Sequence, residues 1–317
     1  MLQRIIGDAD DWMSSAASWP WLAAAHNVRV TQQFDSWSTL FNAMVLQAVP
    51  FLVFGVVLSA IVITLVPPRV WQWVLARPVG ISIPMAAACG ALVPGCECTT
   101  VPVAARLTQR GVPFSAALSF ALASPALNPI VMIATATAFA GRPSMVVARF
   151  AASFVSVLVI GAYLAASGIQ PPARSGHDHE PKGTSKTLRL VDAAQHDLLH
   201  TLGLVVVGAA AAATMRVFLP TDWLLKLSGN LAIAIPTMAV LAVVLALCSE
   251  SDAFVAASFV LFPPTAVLVF MVVGPLVDIR LLIMYRSVFG GKVTAAIAGF
   301  ALFAALTSSL LIGTVLL

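Results

Sequence analysis

The sequence predicts an all-α, polytopic membrane protein, and three observations carry that expectation. First, 60% of the 317 residues are hydrophobic and only 9% are charged, whereas soluble domains carry roughly 25% charged residues; the mean hydropathy is +0.97. Second, six predominantly apolar runs reach or exceed the ~20 residues with which a helix crosses ~30 Å of hydrocarbon. They are Leu40 to Val66, Phe114 to Phe139, Met145 to Ala166, Leu198 to Leu219, Thr265 to Tyr285 and Val293 to Leu317. Third, these runs are continuous and rich in Ala, Val and Leu, without the period-two alternation of a transmembrane barrel. The expected partner is therefore the lipid bilayer of the cell inner membrane, crossed several times.

The first 38 residues hold Asp8, Asp10, Asp11 and four tryptophans, Trp12, Trp19, Trp21 and Trp37. No basic region leads directly into an apolar core, so this is not a signal peptide. Because Trp favours the headgroup level, residues 1–38 read as an interfacial segment. A first membrane unit follows over 39–166. Residues 167–192 form the only long polar stretch, with Pro171-Pro172 and His177-Asp178-His179-Glu180, and read as a disordered cytoplasmic linker. Two histidines without further ligands make a weak metal site. A second membrane unit spans 193–317. The net charge of +4 reports topology rather than nucleic-acid binding. With the N-terminus outside, Arg69, Arg77, Arg106, Arg110, Arg174, Lys182, Lys186, Arg189, Arg286 and Lys292 fall inside, against Arg4, Arg29, Arg142, Arg216 and Lys226 outside. Arg149 and Arg280 fall within spans and do not enter that count.

The two units are related in sequence. Sliding the chain on itself places Gly55 on Gly208, Pro67 on Pro220, Pro84 on Pro236 and Cys96 on Cys248. After a two-residue gap, Pro125 and Asn128 fall on Pro275 and Asp278. Glycine, prolines and a cysteine in one register point to duplication, a usual construction of secondary transporters. Pieces such as Ala253 to Leu261 are too short to cross and fit discontinuous or re-entrant helices. If motif and short piece form a hairpin, each unit has an odd number of elements and the repeats are inverted; if they form one span, the repeats are parallel. The inverted arrangement is favoured.

Each unit carries a polar motif: Cys96, Glu97 and Cys98 between Pro94 and Pro102 in the first, and Cys248, Glu250 and Asp252 in the second. The two prolines make regular helix unexpected around Cys96–Cys98. An ionisable residue at mid-span costs about 2.5 kcal/mol or more. Glu97, Glu250, Asp252 and Asp278 therefore imply a polar pathway, unless they are interfacial loop residues that meet water. Thiolates prefer Zn²⁺, Cu(I) and similar thiophilic centres, and carboxylates complete such a sphere or carry protons. Cys96, Cys98 and Cys248 are thus candidate metal ligands, although free cysteine is often a small buried hydrophobe. That second reading is preferred for Cys89, whose counterpart is Leu241. Pro125 with Asn128, and Pro275 with Asp278, interrupt spanning helices and add Asn128 and Asp278 to the substrate-binding candidates. No nucleophile pair, zinc-protease motif or phosphate-binding loop is present, so an enzyme is not expected, no cofactor is implied and this chain does not hydrolyse ATP.

The combination of Cys96-x-Cys98, Val101-Pro102, Arg106, Gly111 and Ala123-Ser124-Pro125-Ala126-Leu127-Asn128-Pro129 with Cys248-Ser249-Glu250-x-Asp252 and Gly274-Pro275 resembles the YraQ-type predicted permease family. That family includes the ArsP exporters of trivalent organoarsenicals. The resemblance runs from about Leu40 to the C-terminus and implies a permease fold of roughly eight to ten membrane segments. It also implies that paired cysteines are the metalloid ligands, with Cys96 and Cys98 in the matching positions. Glu97 departs from the small residue more usual between them and makes a cationic substrate more credible. The expected function is a permease exporting a thiophilic metalloid or metal. The alternatives are a zinc-like or other small-solute permease with carboxylate proton coupling, and an intramembrane enzyme or a channel subunit that acts with an accessory partner.

Overall fold

The computed structural model describes residues 35–46, 49–50, 53, 78–93, 95, 97–171, 199, 202–203, 206–211, 213–214 and 231–317. Residues 1–34 of the expected interfacial segment 1–38, most of the expected linker 167–192 and most of the runs Leu40–Val66 and Leu198–Leu219 lie outside these residues. So do Cys96 and the side chain of Cys98. Among the described residues, the chain is helical throughout and contains no strand.

Residues 35–46 and 206–211 are helical. Over 79–167 the described helices are α1 (Val79–Leu92), α2 (Glu97–Gln109), α3 (Phe114–Leu127), α4 (Pro129–Ala138) and α5 (Pro143–Ser167). Over 231–317 they are α6 (Leu231–Leu245), α7 (Asp252–Ala257), α8 (Pro264–Leu276), α9 (Ile279–Phe289) and α10 (Gly291–Leu316). Among the described residues, four stretches are long and apolar enough to cross a membrane: the α3–α4 pair, α5, the α8–α9 pair and α10. These coincide with four of the six apolar runs.

The two long pairs are each broken at the polar residue that follows the proline. Pro125 and Pro275 sit inside the last turn of α3 and α8. The chain then leaves helical geometry at Asn128 (ψ 153°) and at Val277–Asp278 (ψ 107° and 170°). Each polar side chain caps the helix that restarts. Asn128 Oδ1 accepts from the Val131 N–H at 2.8 Å, and Asp278 Oδ1 accepts from the Leu281 N–H at 2.6 Å. A short oxygen-bearing side chain satisfies a donor that a helix start otherwise leaves open, and Pro129 at the first helical position has no N–H to lose.

Around Cys96–Cys98 the expectation of irregular backbone is corrected. Helix α2 begins at Glu97 and runs through Pro102. The irregularity precedes it, at Val93 and Gly95, where Ser124 Oγ on α3 donates to the carbonyls of Val93 (2.8 Å) and Gly95 (3.2 Å). The carbonyls freed at that break are satisfied by a neighbouring helix, as burial requires.

Helices α3 and α8 form the core: every residue of Phe114–Leu127 except Phe120 is buried, as is every residue from Ala266 to Leu276. Helix α3 packs against α1, α2 and α5, and α8 packs against α6, α7 and α10. Small residues allow the closest approaches. A Cβ on Gly90 would run into the Phe120 carbonyl oxygen, and one on Gly313 would stand 2.6 Å from Thr265 Cγ2. Cys89 is exposed, which corrects its reading as a buried hydrophobe. It shares the outward face of α1 with Ile81 and Leu92, and in a bilayer that face is as apolar as the core.

Helices α5 and α10 pack together and run antiparallel. Tyr163 stacks on Phe300 at 3.8 Å between centroids, while Ser156 Oγ meets Ser308 Oγ at 2.6 Å. Moving forward on one helix therefore means moving backward on the other.

Candidate functional site

Among the described residues, buried ion pairs centred on Arg280 and on Arg149 organise the polar interior, and each links a helix of residues 79–167 to the stretch 231–317. In the first, Arg280 at the start of α9 donates through Nη2 to Glu97 Oε1 at the start of α2 (2.7 Å) and to Asp278 Oδ2 (3.2 Å). Helix α9 packs on α2 so that this contact spans 183 residues of sequence. Gly208 lies against the arginine: a Cβ there would stand 3.1 Å from Arg280 Cγ. Glycine at that position lets the 206–211 helix sit close to the arginine stem.

In the second, Arg149 of α5 is fully buried. Its Nη2 donates to Asp252 Oδ2 at 2.7 Å and to the Ser249 carbonyl at 3.4 Å, and its Nη1 donates to Thr135 Oγ1 at 2.8 Å. Thr135 in turn donates to the Val131 carbonyl at 2.7 Å, and α7 packs on α4. Asp252 is delivered by a tight turn whose acceptor is the Cys248 carbonyl, bonded by the N–H groups of Ser251 (2.9 Å) and Asp252 (3.0 Å). Just before the turn, Ala246 takes φ +44°, a left-handed conformation that a residue with a Cβ adopts only under constraint.

The sequence-predicted residues divide accordingly. Glu97 and Asp278 meet around Arg280, and Asp252 meets Arg149. Asn128 caps α4, with its Nδ2 buried and without a hydrogen-bond partner. Cys248 Sγ donates to Glu250 Oε2 at 2.5 Å, and among the described residues Glu250 has no arginine or lysine partner. Also among the described residues, no three His, Cys, Asp or Glu side chains converge to hold a metal ion. Arg149, Arg280 and Thr135 belong to the polar interior and were not among the sequence candidates. The available signal was their charge or hydroxyl inside a span, where such a group demands a partner.

An α-helical chain with broken spans and ion pairs buried between distant helices belongs to the class of polytopic membrane permeases. Comparison with known proteins places it more closely. The profile of a family described as predicted permeases, ArsP_1, matches residues 33–314, and the chain belongs to that family. It is 32% identical over 283 residues to the UPF0718 protein YcgR of Bacillus subtilis, covering 87% of this chain and 96% of the relative. It is 31% identical over 282 residues to a Streptococcus mutans protein named as a candidate subunit of a two-component membrane permease complex, covering 86% and 91% of the two chains. No solved structure matches. The family and its helical spans make this a multi-pass cell-membrane protein.

Proposed function

We propose that this permease exports a thiophilic metalloid or metal species, of the trivalent arsenical type, through a site formed by Cys96, Cys98 and Cys248 with nearby carboxylates. The observation that carries this reading is the way the acids are partnered. Glu97, Asp252 and Asp278 each have an arginine within 3.2 Å. Among the described residues of the polar motifs, Glu250 is the acid without one, and the group that meets it is the Cys248 thiol. A soft sulfur donor beside an uncompensated carboxylate suits a thiophilic cation or metalloid better than an anion. Glu250, Asn128 and the arginine-paired acids then supply the oxygen and amide groups along the path.

The antiparallel contact of α5 with α10 supports an inverted repeat. The sequence match between the units makes these two spans counterparts, and counterparts that cross in opposite directions are the signature of inverted topology. The acid-bearing motif of each unit is held by an arginine of the other, so breaking the Glu97–Arg280 and Asp252–Arg149 pairs in turn would open the two sides alternately. A partner subunit is part of this proposal, suggested by the name of the Streptococcus relative.

The test is transport by the full chain in proteoliposomes, with arsenite, methylarsenite, Zn²⁺ and Cu⁺ as separate probes. Cys96→Ser, Cys98→Ser and Cys248→Ser should each abolish transport of the accepted probe, and Cys89→Ser should leave it intact. Normal transport by a variant lacking all four cysteines would overturn the soft-ligand site.

A further inference from the structure

The acid at the α8–α9 break belongs to a group of charges that does not sum to zero. Arg280 reaches Glu97 Oε1 and Asp278 Oδ2 through the same nitrogen, Nη2, at 2.7 and 3.2 Å. One guanidinium thus serves two carboxyl groups, whose side chains are only 5% and 2% exposed. With both acids ionised, the cluster would hold a net negative charge inside a membrane protein, where an uncompensated charge is costly. Two acids crowded on one site resolve this by keeping a proton on one of them. The shorter bond joins Arg280 to Glu97, as in a charge-assisted pair. Asp278 is left as the surplus acid.

The other charged or titratable side chains nearby do not cancel that surplus. Tyr285, buried two turns along α9 from Asp278 and on the same face, acts on both acids but carries no positive charge. Among the described side chains of the helices packed on α2, α8 and α9, Arg106 lies in the last turn of α2 and Lys292 beyond the end of α9, both far from Asp278 along their helices. Arg149 and Asp252 neutralise one another, and Tyr163 of α5 is uncharged.

The α3–α4 break provides a comparison within the same chain. Asn128 caps α4 as Asp278 caps α9: each side-chain Oδ1 accepts the N–H three residues further on. Two residues after Asn128 stands Ile130, where the α8–α9 break has Arg280. The cap therefore calls for the oxygen and not for the charge, and a protonated aspartic acid offers the same acceptor and nearly the same shape as asparagine.

We propose that Asp278 binds an exchangeable proton and couples transport to the proton gradient, with Glu97 and Arg280 controlling its release. While Arg280 holds Glu97, Asp278 keeps its O–H. When that pair breaks, the guanidinium turns to Asp278, the O–H bond breaks and the proton passes to water; the bond re-forms with a proton taken from water on the other membrane face. Arg280 is 9% exposed whereas Arg149 is 0% exposed, which makes this cluster, rather than the sealed Arg149–Asp252 pair, the one that exchanges protons. The coupling rests on the permease reading above; the proton on Asp278 does not depend on which species is carried.

Infrared spectroscopy of the full chain in lipid reads the proton directly, as the C=O stretch of a protonated carboxyl that disappears when the pH is raised from neutral to alkaline. Carbon-13 in the aspartate side chains should shift this signal. Asp278→Asn should lower it by one carboxyl, whereas Asp35→Asn, at an exposed acid, should leave it whole. If Asp278→Asn fails to fold, Asp278→Glu in the labelled protein takes its place, and one carboxyl of the signal should then escape the label. A signal undiminished by Asp278→Asn, or a labelled fraction unchanged by Asp278→Glu, would overturn the proton site. The metal and arsenical probes are followed in the same vesicles with and without an imposed pH gradient. The gradient should change the parent's rate for the accepted probe several-fold, and Asp278→Asn should lose that response. A proton on Asp278 without transport of any probe refutes the cargo and leaves the proton site standing, whereas transport that responds equally to the gradient in the parent and in Asp278→Asn refutes the coupling alone.

Discussion

Arg149 is the residue on which the interior depends most, because its charge sits at zero exposure and its neutralising partner is 103 residues away. Removing one member of a buried ion pair leaves the other charged and unpaired, a cost of about 3–5 kcal/mol, while replacing both with apolar groups is often close to neutral. Arg149→Leu should therefore lower stability in detergent by an amount of that order, and Arg149→Leu with Asp252→Leu should recover most of it. Thermal unfolding of the purified single and double variants measures both. A single variant as stable as the parent would mean that Asp252 does not depend on Arg149. The sequence made the acids conspicuous, since Glu97, Glu250, Asp252 and Asp278 stand in apolar surroundings. It did not pair them. An arginine inside a span announces that a partner exists, but only packing reveals that Arg280 reaches back to Glu97 and Arg149 forward to Asp252.

At the scale of elements, the broken spans were the most legible feature, because proline followed three residues later by Asn or Asp is a local signal. What local reasoning misplaced was the start of α2. Pro94 and Pro102 looked like bounds of an unwound motif, yet Ser124 of α3 satisfies the break upstream and lets helix begin at Glu97. The two caps yield a quantitative expectation. Asn128→Ala removes the acceptor for the Val131 N–H and should cost about 1 kcal/mol, whereas Asn128→Asp keeps the acceptor and should cost less. Close packing gives a second. Gly90→Ala drives a methyl into the Phe120 carbonyl and should destabilise by about 1–3 kcal/mol, as overpacking does. Gly299→Ala meets no atom within 4 Å and should be neutral or mildly stabilising through the lower backbone entropy of alanine. Melting temperatures of the four variants check both expectations, and equal losses at Gly90 and Gly299 would remove the packing explanation.

At the scale of the whole molecule, the relation between the two units turns on the direction of α5 and α10. Each is long enough to cross the bilayer: 25 and 26 residues correspond to roughly 37–39 Å of helix, against ~30 Å of hydrocarbon. Their contacts oblige them to cross in opposite senses, because Ser156 meets Ser308 and Tyr163 meets Phe300. If the units are inverted copies, the N-terminal ends of the two helices open on opposite membrane faces. The distribution of basic residues makes the same assignment, with Arg142 outside and Lys292 inside. Both side chains are exposed at those ends, so Arg142→Cys and Lys292→Cys should leave the fold undisturbed. A membrane-impermeant maleimide applied to right-side-out and to inverted vesicles should then modify each introduced thiol from one side only, and from opposite sides for the two variants. Labelling of both from the same face would mean that α5 and α10 are not an antiparallel pair of spans, and the inverted repeat would fall with it.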